Sequence, residues 1–243
     1  MDPSTFRGSI AKTVGELSLA ESNWKLPEWQ KLYPTISQEV LNDAFSQHGT
    51  VRGMFADIGE LTQRSCKSFA RVQKKMTEQY PGRENYFKVV SDFVAVRVPC
   101  EVTEIQAKID RIKEIVLENK GAMHVRGSSA ERPYGFCMGP DKKFTDITQY
   151  VYVFLEKVGY PIEFQIGHPF AAHTFTIDSA LRDNPTCGKV DLWKNDFYTD
   201  VKKYLLAKAN GEVPTPKEGI LAKAAALHDQ KIPQELEVIL NKI

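Results

Sequence analysis

The chain has 243 residues, 42% of them hydrophobic and 26% charged, which suits one large folded domain or a domain with helical extensions. Its 32 basic and 31 acidic residues leave a formal net charge of +1, so a globally basic nucleic-acid binder is not indicated, although a local basic stripe is still allowed. Four cysteines, Cys66, Cys100, Cys137 and Cys187, stand far apart with no CxxC and no Cys/His cluster, as expected of free thiols in a reducing compartment.

No run approaches the ~20 apolar residues of a membrane span, and the N-terminus lacks an apolar signal core. A cytoplasmic location is the expectation, with a secreted effector as the alternative.

The first 50 residues read as short helices and turns, with Trp24 and Trp29 beside Pro27 and Pro34, and a helix over Ser37 to Phe45. A longer helix is expected from Met54 to Gln79, ended by Pro81 and Gly82, with Phe69, Val72 and Met76 on its apolar side. It would carry Arg64, Lys67, Arg71, Lys74 and Lys75. The three-four-three spacing of residues 64, 67, 71 and 74 would set them along one side.

Residues 88–98, rich in β-branched side chains and followed by Pro99, read as a buried strand. Residues 102–118 read as an amphipathic helix with Ile105, Ile109, Ile112 and Val116 inward. A short strand at 122–126 and a Gly/Ser/Pro-rich loop at 127–142 come next, and then a hairpin of strands 149–156 and 160–166. Helices are expected over 170–182, 193–210 and 232–243, with Trp193, Phe197, Val201 and Tyr204 on one face of the middle one. Residues 210–219 read as a linker. A strand–helix–strand–strand–strand order flanked by helices indicates a mixed α/β domain.

Three features bear on chemistry. Several cations on one helix side repel each other by a few tenths of a kcal/mol per pair, and a polyanion such as a triphosphate would relieve that repulsion; a solvated face is the plainer alternative. Asp92 lies in an apolar strand, where a carboxylate needs a partner or a cation unless it sits at an exposed strand start. In PIEFQI, Ile162, Phe164 and Ile166 alternate with Glu163 and Gln165, so one face is apolar and the other carries a carboxylate and an amide.

Two carboxylates from different strands suit Mg²⁺ with phosphate ligands, cations suit a transferring phosphoryl group, and one carboxylate could serve as general base. No GxxxxGK[ST] loop and no GxGxxG after a strand is present. His228-Asp229 is an isolated pair, and Ser128-Ser129 has no nucleophile elbow around it.

These segments, in this order, resemble the synthetase domain of the RelA/SpoT family over residues 50–185. CKSFARVQKKM (66–76) resembles the family's basic ATP-binding segment. Lys67 and Lys75 fall at its lysines, and Arg64 lies one residue from its arginine position. SDFVAVRV resembles the metal-binding strand, with Asp92 as ligand and Arg97 at its arginine. KFTDI (143–147) resembles the acceptor-binding segment, with Phe144 in place of the stacking tyrosine and Asp146 following. EFQIGHP (163–169) resembles the strand of the catalytic glutamate. Glu163 and Gln165 match, and Gly167 replaces an Arg or His, with His168 and Pro169 next.

The resemblance implies a nucleotidyltransferase-like synthetase domain over residues 51–188, between helical extensions at 1–50 and 189–243. It implies an ATP-dependent transfer of pyrophosphate to the 3′-hydroxyl of GDP or GTP, or of an adenine nucleotide. Glu163 and Asp92 would be catalytic and hold Mg²⁺, Arg64, Lys67, Arg71, Lys74 and Lys75 would bind ATP, and Lys143, Phe144, Asp146, Arg97 and Gln165 would bind the acceptor.

Small stand-alone members of that family include toxins, some acting on tRNA. Here Lys189, Lys194, Lys202 and Lys203 would then meet the RNA backbone, although interleaved acids also fit ordinary surface lysines. An inactive nucleotide-binding or interaction module is a third possibility.

Overall fold

The computed structural model describes residues 2–15, 36–64, 69–74, 93–127, 138–139, 141–171, 196–220 and 222, with the side chains of 12–15, 71, 73, 74 and 196–198 outside that description. Its strands are β1 (Thr62–Gln63), β2 (Val94–Pro99), β3 (Ala122–Val125), β4 (Thr148–Phe154) and β5 (Pro161–Gly167), in one sheet of order β1-β2-β5-β4-β3. β1 is antiparallel to β2, and β3 to β4.

The Cys100 N–H donates to the Gly167 carbonyl at 3.0 Å, which sets the C-terminal ends of β2 and β5 side by side, so these two strands are parallel. Residues 155–160 are too short a path for a parallel crossover, so β4 and β5 form an antiparallel hairpin, closed by the His168 N–H on the Ile147 carbonyl at 2.9 Å. The sheet is therefore mixed, and helices flank it: α1 (Pro3–Gly15), α2 (Gln38–Ser46), α3 (His48–Met54), α4 (Phe69–Lys74), α5 (Ile105–Glu118) and α6 (Asp196–Ala209).

The chain divides into two compact units. One comprises Met1–Val98, Gln106–Gly135 and Tyr150–Ile166, and the other Pro99–Ile105, Phe136–Gln149 and Gly167–Ile243.

In the first unit, Asp2 caps α1. Its carboxylate accepts from the Ser4 and Thr5 N–H groups at 3.0 and 3.1 Å, and the Thr5 and Ser4 hydroxyls help hold its carboxyl well below the usual range. Phe6 and Ile10, one turn apart, are buried. Phe6 meets Phe93 and Tyr160 at ring distances of 5.8 and 6.2 Å. The buried Tyr160 hydroxyl donates to Asp43 on α2 at 2.6 Å, and Arg7 on α1 pairs with the same carboxylate at 3.3 Å.

The helix expected over Ser37 to Phe45 is α2, capped by the Ser37 hydroxyl on the Val40 N–H, with Val40, Leu41 and Ala44 buried. α5 buries Ile105, Ile109, Ile112 and Val116, as its pattern predicts, and Ile115 as well. It stops at Lys120 (φ 50) and Gly121, where a Cβ would stand 2.6 Å from the Phe154 carbonyl oxygen.

The single helix expected over 54–79 does not form. α3 ends at Met54, a 3-10 turn follows at Ala56–Ile58, and Gly59 takes φ 117, which side-chain-bearing residues rarely adopt. Thr62 and Gln63 then pair with Arg97 and Val96 as β1, and the next described helix is α4 over Phe69–Lys74. Arg64 thus belongs to a sheet edge and not to a helical stripe of cations.

The linker expected at 210–219 is also replaced at its start. Gly211 (φ 71) ends α6 in a Schellman turn, with the Glu212 N–H on the Ala207 carbonyl at 2.8 Å and the Gly211 N–H on the Lys208 carbonyl at 3.2 Å. Trp24, Trp29, Pro27, Pro34, Met76, Pro81, Gly82, Trp193, the strand residues 88–92, most of the 127–142 loop, residues 172–182 and the helix at 232–243 lie outside the described residues. So do Cys66, Cys137 and Cys187, while Cys100 is buried. No helix among the described residues is long and apolar enough to cross a membrane.

His48, buried against Phe45, has no hydrogen-bond partner for Nδ1 among the described residues, and burial pushes its imidazole down to about 4. The unfolded chain therefore takes up a proton near pH 6.5 that the folded chain refuses until about pH 4. The stability that neutral His48 contributes is complete above pH 6.5 and falls between those limits, by about 3 kcal/mol at most. Urea unfolding of His48→Leu is expected to show a shallower loss of stability than the wild type over that window.

Candidate active site

Arg64 directly follows β1. Its N–H donates to the Ala95 carbonyl at 3.0 Å, which continues the Thr62–Arg97 register and sets Arg64, Ala95 and Arg97 on one face of the sheet. Glu163 and Gln165 of β5 share that face. Arg64 Nη1 donates to Glu163 Oε1 at 3.1 Å, Gln165 Nε2 donates to the same oxygen at 2.7 Å, and Arg97 Nε donates to Gln165 Oε1 at 3.4 Å. Ala95 is on β2, which lies between the strand followed by Arg64 and the strand that bears Glu163.

The opposite face is apolar, with Val94, Val96, Val98, Ile162, Phe164 and Ile166 all buried and Phe55 packed edge-on against Phe164 at 4.8 Å. The alternation expected in PIEFQI is present, but its polar face is not a wet outer surface. Glu163 and Gln165 are 7% and 9% exposed. Burying a carboxylate this far is costly without a charged partner, and Arg64 is one such partner.

Among the four side chains, two cations face one anion. Arg97 is lowered from its ordinary value, chiefly by desolvation and then by the like charge of Arg64, with Tyr150 opposing. Such a buried, cation-rich face suits an anionic ligand.

The face continues across β4 and β3. The His168-to-Ile147 bond fixes a register that sets Tyr150 opposite Gln165 and Tyr152 opposite Glu163. Arg126 lies over the Tyr150 ring at 5.1 Å, and His124, paired with Tyr152, stacks on it at 6.2 Å. Burial lowers the His124 imidazole from its usual range. These four residues were not singled out from sequence. The signal was the same two-residue alternation in QYVYVF and AMHVR.

The other candidates fall differently. Asp92, Lys67 and Lys75 lie outside the described residues, and so do the side chains of Arg71 and Lys74 on α4. Lys189, Lys194, Ser128, Ser129, His228 and Asp229 also lie outside.

Lys143, Phe144 and Asp146 belong to the second unit. Lys143 Nζ pairs with Glu212 at 2.8 Å, and that bond raises its pKa. The Phe144 N–H donates to Asn210 Oδ1 at 2.8 Å, and Asp146 meets Lys202 at 3.2 Å. Phe170 N–H donates to His168 Nδ1 at 3.2 Å, and burial lowers that imidazole.

Mg²⁺ bound with phosphates needs only one or two protein carboxylates, and Glu163 is an oxygen donor of that kind. No group of three His, Cys, Asp or Glu residues among the described ones is placed to hold an ion without such a co-ligand.

Comparison with family models, with curated proteins and with solved structures finds no match.

Gly167 is required by packing. A Cβ there would stand 2.4 Å from the Ile147 carbonyl oxygen and 2.7 Å from Thr148 Cα, so no Arg or His fits without parting β4 from β5. Gly167→Ala is expected to lower stability by about 1–3 kcal/mol in urea unfolding.

Proposed function

We propose that the chain is a cytoplasmic ATP-dependent pyrophosphokinase on a nucleotidyltransferase-like sheet, carrying pyrophosphate from ATP to the 3′-hydroxyl of a nucleotide. The observation that supports this best is the buried Glu163 carboxylate, held by Arg64 and Gln165 with Arg97 beside them. An isolated buried acid would be a liability. One oriented by an arginine and an amide can accept a proton in a fixed geometry.

In the proposed reaction the acceptor oxygen attacks the β-phosphorus of ATP, the bond from that phosphorus to the α–β bridging oxygen breaks, and AMP leaves. The acceptor hydroxyl proton passes to Glu163. Arg64 and Arg97 stabilise charge on the transferring group, and such electrostatic help is the larger part of phosphoryl-transfer catalysis. Asp92 and Glu163 would hold Mg²⁺, which supplies charge neutralisation on the phosphates. Lys67, Arg71, Lys74 and Lys75 would hold the triphosphate. Phe144 would stack on the acceptor base with Lys143 and Asp146 flanking it.

The test is incubation of the purified chain with Mg²⁺ and ATP labelled in the β- or γ-phosphate, offered GDP, GTP, adenine nucleotides or deacylated tRNA. Both labels are expected to move together onto one acceptor, with AMP released in equal amount. Glu163→Gln is expected to lower kcat by about 10²–10⁴-fold while keeping the fold. Transfer to none of these acceptors sinks the reading. An interaction module remains instead if Asp92→Asn and Glu163→Gln both retain the biological effect.

A further inference from the structure

The sheet register arranges the polar face of the first unit in two rows that run across the strands. One row is Arg97, Gln165, Tyr150 and Arg126. The other is Arg64, Ala95, Glu163, Tyr152 and His124. In the second row the character changes from one side of β5 to the other. Towards β1 stands the Arg64 cation, with Arg97 beside it in the first row. Towards β3 stand two rings, those of Tyr152 and His124, whose planes differ by 8° with centroids 6.2 Å apart.

His124 is the unsettled member of that row. Its Nδ1 is buried and meets no hydrogen-bond partner among the described residues. Buried polar atoms of folded chains are nearly always paired, because an unpaired one gives up its bond to water for nothing. Burial also lowers the imidazole from its usual range, so the ring is neutral at pH 7. A neutral imidazole has one donor and one acceptor nitrogen. It suits a neutral group with donors and acceptors of its own, whereas phosphates suit the arginines on the far side of β5.

β4 alone separates His124 from Glu163, so their backbones stand two strand spacings apart, about 10 Å. A ligand that reaches both extends well beyond a diphosphate. The path from the β-phosphorus of ATP through the α-phosphate and ribose to the edge of adenine has that reach.

We propose that the His124–Tyr152 pair is the subsite for the adenine of the donor nucleotide, with His124 Nδ1 hydrogen-bonded to the edge of the base. The identity of the ligand rests on the pyrophosphokinase reading, while the subsite rests on the buried nitrogen and its place in the row. The triphosphate then extends from β3 towards Glu163, Arg97 and Arg64. His124 is a binding residue that sets affinity for the base and takes no part in the transfer.

The experiment is calorimetry with Mg²⁺ and without acceptor, on the wild type and His124→Phe. ATP is compared with inorganic tripolyphosphate, which is anionic and has no base. Phenylalanine keeps a ring beside Tyr152 and removes both nitrogens. His124→Phe is expected to weaken ATP binding about tenfold and to leave tripolyphosphate within twofold. The wild-type His124 Nδ1 resonance is followed in parallel by long-range ¹H–¹⁵N NMR. It is expected to move with ATP and to stay in place with tripolyphosphate, and it carries the test if the variant does not fold.

Unchanged ATP affinity in His124→Phe overturns the subsite, and so does a loss shared equally by tripolyphosphate or an Nδ1 resonance that ignores ATP. The labelled-ATP transfer assay is read separately. ATP that moves the His124 resonance without any label transfer overturns the reaction and leaves the subsite standing. Label transfer with a silent His124 overturns the subsite alone.

Discussion

Glu163 lies on an inner strand with almost no access to water, and the Arg64 guanidinium makes that placement tolerable. The pair is 99 residues apart in sequence and joined across a sheet, so several local features follow from it. β1 is only two residues long, yet its pairing with β2 carries Arg64 to the edge of the Glu163 face. Gln165 donates an amide hydrogen to Glu163 and accepts from Arg97 through its oxygen, so a second cation joins the same face.

β5 is constrained along its length for different reasons. At its start, the Tyr160 hydroxyl anchors the hairpin to Asp43, and α1 adds Arg7 and Phe6. In the middle, the apolar and polar faces are both buried, so a one-residue slip would trade Glu163 for Phe164 or Ile162. At its end, Gly167 admits β4 to a distance that any side chain would forbid. The absence of a side chain at 167 therefore follows from backbone proximity.

The sheet and α5 were legible because their signals are periodic. Alternation in PIEFQI and QYVYVF and the isoleucine spacing of 105–116 each repeat several times within one element. The failure at 54–79 came from a short interruption. Phe55, Ile58 and Leu61 are all buried at three-residue spacing, which a 3-10 turn and a helix share, and one glycine with positive φ then turns the chain into a two-residue strand.

Residue identity singled out Glu163, Gln165 and Arg97, but not the ion pair of Glu163 with Arg64, because pairing across a sheet depends on register. Asn210 was hidden by composition. It opens a Gly- and Pro-rich stretch that reads as a linker, while its amide acts on a loop 66 residues away in sequence. The stacked Arg126–Tyr150 and His124–Tyr152 pairs were visible only as polar members of alternating strands.

A double-mutant cycle between Arg64 and Glu163 tests most directly whether this pair holds the buried face together. Arg64→Ala, Glu163→Gln and the double variant would be unfolded in urea. Arg64→Ala removes the cation 3.1 Å from the buried carboxylate, so the double variant is expected to be more stable than the sum of the two single losses by about 1–3 kcal/mol. Losses that simply add, to within about 0.5 kcal/mol, would contradict the pairing.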